Sequence, residues 1–256
     1  MGLLTQLLIT PVVTAAILAL LPGQNVRLIR AVALLGSALA MLLSWHLLIP
    51  FDTANPALQL MEVVPWNTRL GTSYAVGIDG ISLAMVLLAT LLSLVSLLAS
   101  ASIKRQVKGY YMLVLLLESA MLGVFMAQDW SLFYVFWELT LIPLFFLIDR
   151  WGGKNRQGAA LNFVLYTMGG SVFMLLSLLV LFDAVPGHSF AMDQMSAGAK
   201  SLSEHKQLLI FLGLLIGFGV KMPIFPIHGW LPLAHEKAPS PISILLGKIL
   251  HNHHLN

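Results

Sequence analysis

Two charged residues lie within apolar segments, and their types give this chain its clearest capacity for chemistry. Glu138 lies in the apolar run from Ser131 to Ile148, and Lys221 lies near the end of another, two residues before a proline. A charge at the centre of a membrane helix costs about 2.5–3.5 kcal/mol on insertion scales, so it normally faces protein or a water-filled cavity. A carboxyl and an ammonium group in separate membrane helices therefore predict movement of protons or ions.

Each of the two residues also has a purely structural alternative. Glu138 could be a protonated, hydrogen-bonded packing residue, and Lys221 could extend its ammonium group to the membrane interface.

Pro143, five residues after Glu138, removes a backbone donor and frees a carbonyl near Leu139. That free carbonyl predicts a polar backbone site close to the glutamate.

Two prolines after Lys221, Pro223 and Pro226, predict a helix that breaks at membrane depth. Irregular backbone at that depth is tolerated only inside protein or beside a water-filled cavity, and broken helices recur at the ion sites of transporters. His228 and His235 follow the break. They are candidates either to relay protons or to cap the broken helix and its loop.

Other ionisable residues have weaker patterns. Glu118, halfway along an apolar segment, is either a second carboxylate of a proton path or the partner of a polar group on a neighbouring helix. Asp79 precedes another apolar segment and is predicted to cap its helix. No set of metal ligands occurs at useful spacing, so we expect no metal site.

The composition excludes several classes of protein. Hydrophobic residues make up 58% of the chain and charged residues 10%, against roughly 25% charged in soluble domains. Cysteine is absent, which excludes disulfides, thiolate-held iron–sulfur clusters and a cysteine nucleophile. The basic residues lie in short loops and do not form one soluble surface, so we expect no nucleic-acid binding.

The hydrophobic pattern predicts an all-α, polytopic transmembrane helix bundle. A span needs about 20 residues, and seven segments are long enough, with an eighth beginning near Ile242 and left incomplete. The seven predicted spans are Leu3–Leu21, Ile29–Ile49, Asp79–Ser100, Tyr110–Ala127, Ser131–Ile148, Gly158–Phe182 and the broken Gln207–Met222.

Lysine and arginine set the predicted orientation. Eight of them lie in the loops after spans one, three and five, and three in the opposite loops. The positive-inside rule therefore places the first set on the cytoplasmic side and the amino terminus outside. The loop 50–78 is predicted to be an ordered external cap.

Two long motifs resemble the antiporter-like, proton-translocating membrane subunits of respiratory complex I. The run 129–153 (DWSLFYVFWELTLIPLFFLIDRWGG) is similar to their fifth helix, and 220–232 (VKMPIFPIHGWLP) to their broken seventh helix. Together with GIDGIS at 77–82 and FVLYT at 163–167, the match is nearest to the chain M, or chain 4, subunits. It covers nearly the whole chain to about Leu246.

The resemblance implies a proton-translocating subunit of NADH:quinone oxidoreductase that couples quinone reduction to proton pumping. Glu138 is then the key glutamate and Lys221 its paired lysine. Separated by about 4 Å, the pair would attract by about 4 kcal/mol at an effective dielectric constant near 20. The implied partners are the other membrane-arm subunits of complex I and the lipid bilayer, with NADH and quinone bound by other subunits; this chain would hold no cofactor. The expected location is the bacterial inner (plasma) membrane, or an organelle inner membrane.

The chain departs from the family pattern at several positions. Asn162 stands where a modulating lysine is usual, and Leu233 replaces an aspartate. Lys248 lies one turn before the family's central lysine, although it remains a candidate for the proton path. Family members have about twice as many spans, so the sequence favours a form truncated in the eighth helix.

The resemblance also divides the chain. Residues 1–109 hold helices one to three with the external loop, 110–246 form the first, incomplete antiporter-like repeat, and 247–256 are an atypical tail. Three other functions remain open: a subunit of a multisubunit sodium/proton antiporter, a subunit of a membrane-bound hydrogenase, or a non-functional remnant.

Overall fold

A computed structural model describes residues 2–222, 238–239 and 241–242. Within these residues the chain forms α-helices and one antiparallel hairpin. The elements are α1 (Leu3–Leu20), α2 (Val26–His46), β1 (Gln59–Asn67), β2 (Thr72–Ile78), α3 (Gly80–Ala99), α4 (Val107–Met126), α5 (Trp130–Leu139), α6 (Leu141–Trp151), α7 (Arg156–Ala184), α8 (Met192–Ala199) and α9 (Glu204–Lys221).

Six stretches of the described chain are long and apolar enough to cross a membrane, with α5 and α6 together forming one of them. This confirms the predicted polytopic helix bundle. The seventh predicted span corresponds to α9, which carries three charged residues within 18 residues, Glu204, Lys206 and Lys221, and is not among the six. The predicted break at Pro223 and Pro226 and the eighth helix beyond Ile242 lie outside the described residues.

Three hydrogen bonds bring the basic ends of the helices to one face of the bundle. Lys108 at the start of α4 donates to Leu21 O after α1 (2.8 Å), and Arg30 of α2 donates to Ala101 O after α3 (2.9 Å). Trp151 Nε1 at the end of α6 donates to Arg105 O (2.7 Å). The eight basic residues of the predicted cytoplasmic side therefore share this surface, which we call the basic face: Arg27, Arg30, Lys104, Arg105, Lys108, Arg150, Lys154 and Arg156.

On the opposite face, the predicted external loop is ordered as a β-hairpin formed by β1 and β2. Glu62 on β1 accepts hydrogen bonds from Leu4 N (2.8 Å) and Thr5 N (3.3 Å) at the start of α1. Ser73 N on β2 donates to Asp129 Oδ2 (3.0 Å). The hairpin therefore ties the outer ends of α1 and α5 together: the Glu62 side chain accepts from free amides of α1, and the Ser73 amide donates to the aspartate that caps α5.

Two aspartates cap membrane helices, and the cap by Asp79 confirms the prediction made from the sequence. Asp79 Oδ1 accepts from Ser82 N (2.8 Å), and Ser82 Oγ accepts from Asp79 N (2.7 Å), which makes a reciprocal capping box at α3. The hydrogen bonds from Ser82 hold the pKa of Asp79 below its ordinary value. Asp129 is fully buried and caps α5 through Ser131 N (2.9 Å).

Helices α7 and α9 pack closely because glycines leave room between their backbones. A Cβ at Gly217 of α9 would lie 2.6 Å from Met174 Cβ, and a Cβ at Gly170 of α7 would lie 2.8 Å from Val220 Cβ. Small residues at such contacts are typical of membrane helix pairs. Gly213 and Gly217 precede Lys221 at intervals of four residues, so the face that packs on α7 leads to the lysine.

Candidate functional site

The helix that carries Glu138 is interrupted two residues later, at Thr140. α5 ends at Leu139 and α6 begins at Leu141. Thr140 Oγ1 turns back and donates to Trp137 O (2.8 Å), a bond that competes with regular helical bonding. Pro143 falls in the first turn of α6, where a missing backbone donor is tolerated. The break therefore exposes a polar group of the backbone beside the glutamate, the Trp137 carbonyl; the free carbonyl near Leu139 stays a prediction.

Lys221 occupies this break. Its Nζ donates to Trp137 O (2.8 Å) and to Thr140 Oγ1 (2.6 Å). The same nitrogen lies 3.9 Å from the centroid of the Trp137 ring, in cation–π geometry. Two oxygen acceptors and an aromatic face thus stabilise the ammonium group at the end of α9.

This geometry shows that the predicted direct contact between Glu138 and Lys221, at about 4 Å, is wrong. Both residues are described, and they make no ion pair; the groups in contact with Lys221 come from the two residues that flank the glutamate, Trp137 and Thr140. The helix break gives the physical reason, because it offers the lysine neutral acceptors that a regular helix would use internally.

Glu138 instead lines an apolar groove of about 660 Å³ between α5, α6 and α7, together with Tyr134, Leu139, Val164 and Met168. Its Oε1 atom is buried and has no hydrogen-bond partner within the described part of the chain. A buried polar atom without a partner needs an explanation, such as water or a group of another chain. The carboxyl group therefore has one oxygen available to a further partner.

Glu118 lies apart from this cluster. It is fully buried in α4, and Ser37 Oγ of α2 donates to it, at 3.1 Å from Oε2 and 3.4 Å from Oε1. The structure thus supplies the polar partner on a neighbouring helix that the sequence allowed. A role for Glu118 in a proton path stays a prediction. Asn162, where the family usually has a modulating lysine, is exposed on α7.

The remaining sequence candidates, His228, His235 and Lys248, lie outside the described residues. Among the residues that are described, no three histidine, aspartate or glutamate side chains are grouped to hold a metal ion. The absence of a cofactor in this chain stays a prediction.

Sequence reasoning missed the two residues that hold the lysine. Trp137 contributes a carbonyl and a ring, and neither role is visible in its residue type, because tryptophan is also expected at membrane interfaces. Thr140 carried a usable signal: a hydroxyl residue three positions before a proline, inside an apolar segment, often bends a membrane helix.

Comparison with known proteins supports the same class that the fold and the site define. A family model described as NADH:quinone oxidoreductase/Mrp antiporter, transmembrane, matches residues 127–253. The chain belongs to this family of antiporter-like membrane subunits, and it is a multi-pass membrane protein.

Within the family, the chain is similar to chain 4 proteins. It is 40% identical over 248 residues to NAD(P)H-quinone oxidoreductase chain 4-3 of Nostoc sp., covering 96% of this chain and 44% of the relative. It is 39% identical over 248 residues to chain 4 2 of Microcystis aeruginosa, covering 96% and 45%. The chain thus spans about half the length of the curated relatives it matches.

Solved structures agree with the sequence relatives. A chain of respiratory complex I from Thermus thermophilus with bound NADH superposes with a TM-score of 0.83 at 32% identity, covering 96% of this chain and 50% of that one. A chain of the Mrp complex from Dietzia sp. superposes with a TM-score of 0.81 at 22% identity, covering 95% and 26%. At 22% identity, the match to the Mrp complex chain shows a shared fold and nothing more.

Proposed function

We propose that this chain serves as a proton-translocating membrane-arm subunit of NADH:quinone oxidoreductase, and that Lys221 and Glu138 carry its proton chemistry. The redox reaction takes place in other subunits, which bind NADH and quinone. This chain holds no cofactor, and its task is to couple quinone reduction to proton movement across the bilayer.

The observation that carries the proposal is the docking of Lys221 at the α5–α6 break. An ammonium group in a membrane interior needs acceptors, and here it has Trp137 O, Thr140 Oγ1 and the Trp137 ring. A lysine held this way can keep its proton while remaining sensitive to a nearby charge. In the proposed cycle the lysine stores a proton as an ammonium group and becomes a neutral amine when it releases that proton.

Glu138 provides the charge that controls the release. When the glutamate is ionised, its field favours the ammonium form of Lys221; when it takes up a proton or meets another cation, that support weakens. Glu138 lines an open groove through which such a proton or cation could approach the carboxyl group, and its buried Oε1 has no partner among the described residues. Glu118, His228, His235 and Lys248 are candidates for the rest of the path.

The test uses the complex assembled with this chain in membrane vesicles, with quinone reduction and proton uptake measured together. We expect Glu138→Gln to lose most proton uptake per quinone reduced while the complex still assembles. Glu204→Gln, an exposed carboxylate at the start of α9, is the matched control and should pump normally. Normal pumping by an assembled Glu138→Gln complex would remove the glutamate from the mechanism.

Lys221→Ala tests the second half of the pair. Without the ammonium group there is no stored proton, so we expect a similar loss of pumping at unchanged assembly. Lys206→Ala, an exposed lysine on the same helix, serves as its control. Unaltered coupling in Lys221→Ala would leave the lysine with a structural role only.

A sodium/proton antiporter subunit is the second candidate, because the description of the matching family model includes the Mrp antiporter. The two candidates differ in their driving reaction. Sodium-dependent proton movement without any dependence on quinone would favour the antiporter.

A further inference from the structure

A cavity of about 490 Å³ opens on the basic face, between the turn that joins α1 to α2 and the start of α4. It shares no lining residue with the Glu138 groove and plays no part in the proposed proton chemistry. The residues that line it are Gly23, Val26, Lys104, Gln106, Val107, Lys108, Gly109 and Met112.

The polar part of the cavity is positively charged. Lys108 Nζ is fixed at its wall by hydrogen bonds to Ala19 O (2.6 Å) and Leu21 O (2.8 Å) at the end of α1. An ammonium group has three donors, so one remains for a ligand. Lys104 is exposed and adds a second positive charge, and the lining residues include no acid. The first turn of α4 also contributes to the wall, and the positive end of its helix dipole reinforces the charge.

The apolar part of the cavity lies at the inner ends of two membrane helices. Val26, Val107 and Met112 line it at the inner ends of α2 and α4. Leu20, the last residue of α1, is 88% exposed, and Leu35 of α2 is 71% exposed. A ligand at this position therefore meets cations at the depth of lipid headgroups and apolar side chains at the depth of acyl chains.

We propose that this cavity binds the phosphate of an anionic glycerophospholipid, with Lys104 and Lys108 as the phosphate-binding residues and the acyl chains lying against Val26, Val107 and Met112. Basic pockets between membrane helices on the cytoplasmic side are suited to anionic headgroups. The apolar wall favours a lipid over a soluble phosphate, which shares the same charged group.

The experiment measures lipid retained by the purified full chain in neutral detergent, by native mass spectrometry. The probes are phosphatidylglycerol, phosphatidylcholine with the same acyl chains, and inorganic phosphate. We expect phosphatidylglycerol to be retained in preference to phosphatidylcholine. Lys104→Gln should weaken its binding about fivefold, which corresponds to about 1 kcal/mol for one lysine near an anionic headgroup.

Two further variants separate the site from general surface charge. Gly23 lines the cavity, and a Cβ at this position meets nothing within 4 Å. Gly23→Phe therefore places a ring in the cavity without changing the charge. Gly80→Phe, equally open on the opposite face, is its control, and Lys154→Gln controls for Lys104→Gln on the basic face. We expect only Gly23→Phe and Lys104→Gln to release the lipid, each in protein whose thermal unfolding in detergent is unchanged.

Three results would overturn the proposal. Equal retention of the two phospholipids would mean that the cavity does not select a negative headgroup. An equal loss in Lys154→Gln would mean that the charge of the whole face, and not this cavity, attracts the lipid. Retention of inorganic phosphate without phosphatidylglycerol would identify a site for a soluble anion.

Discussion

At the scale of single residues, Lys221 is stabilised by neutral groups. Its direct partners are the carbonyl and ring of Trp137 and the hydroxyl of Thr140. The sequence could point to Lys221 and Glu138, because charges in apolar segments are rare. It could not point to the Trp137 carbonyl, because every residue has one and only the three-dimensional break frees it.

Thr140→Val should weaken proton storage by Lys221. Valine keeps the shape of threonine but removes the hydroxyl that lies 2.6 Å from the lysine nitrogen. Losing one hydrogen bond to a charged group costs about 1.5–3 kcal/mol, so the lysine should hold its proton about tenfold less tightly or worse. Proton uptake per quinone, measured against pH in vesicles, should then decline at lower pH than in the unmodified complex.

Thr140→Ser is the matched control, since serine retains the hydroxyl. It should leave the pH profile in place. If both variants shift the profile equally, packing at the break and not the hydroxyl determines proton storage.

Asp79 gives a pH-dependent prediction outside the membrane spans. Its pKa is lowered by the Ser82 hydrogen bonds, so its contribution to stability is present above its unfolded pKa of about 3.9 and is lost as pH falls through the folded pKa. Asp79→Ala should remove about 1 kcal/mol of stability at neutral pH, as is usual for a lost helix cap.

The measurement is thermal unfolding in detergent from neutral to acidic pH. The difference between Asp79→Ala and the unmodified chain should shrink as the pH falls below about 4. Asp193→Ala, which removes an acid from the first turn of α8, controls for general acid effects. A difference that stays constant down to the lowest pH would show that the charge of Asp79 adds nothing to the cap.

At the scale of elements, the contact between α7 and α9 positions the lysine. Gly217→Leu places a side chain where a Cβ would already lie 2.6 Å from Met174 Cβ. Overpacking of this kind costs about 1–3 kcal/mol. We expect a lower unfolding temperature in detergent, and reduced pumping because α9 must shift and draw Lys221 away from Thr140.

Gly169→Leu is the control on the facing helix, because a Cβ at Gly169 meets nothing within 4 Å. It should unfold and pump like the unmodified protein. A Gly217→Leu protein with unchanged stability would show that the two helices separate readily, contrary to the packing described above.

The membrane helices could be predicted from the sequence because long apolar runs have few alternatives in a bilayer. The β-hairpin could not be predicted in this way. Its strands contain Pro65 and glycine, and Gly71 takes a positive φ of 57° at the turn. Strand pairing depends on partners distant in sequence and on contacts such as Glu62 with Thr5, which no local pattern records. The break at Thr140 left only a weak local signal, a hydroxyl residue three positions before Pro143.

At the scale of the whole molecule, the basic face and the hairpin face should lie on opposite sides of the membrane. The chain has no cysteine, so single cysteines can report the side without further changes. A cysteine replacing exposed Thr68 at the hairpin turn should react with a membrane-impermeant maleimide added to intact cells. One replacing Lys154 should react only after the membrane is opened.

Labelling of both positions in intact cells would contradict this orientation, and the reverse pattern would invert it. The result also bears on the proton chemistry, because the side of the basic face defines the direction in which a proton released by Lys221 travels.

The break between α5 and α6 has one more consequence: it separates the anchoring of the lysine from the control of its charge. Trp137 and Thr140 keep their hydrogen-bonding capacity whatever the protonation state of Glu138, so the lysine stays in place when the glutamate changes charge. In the proposed cycle, the glutamate then acts on the lysine only through its charge, and the lysine responds by changing its protonation state and not its position. A site built in this way needs no large movement of α9 to switch, and its speed is set by the arrival of protons.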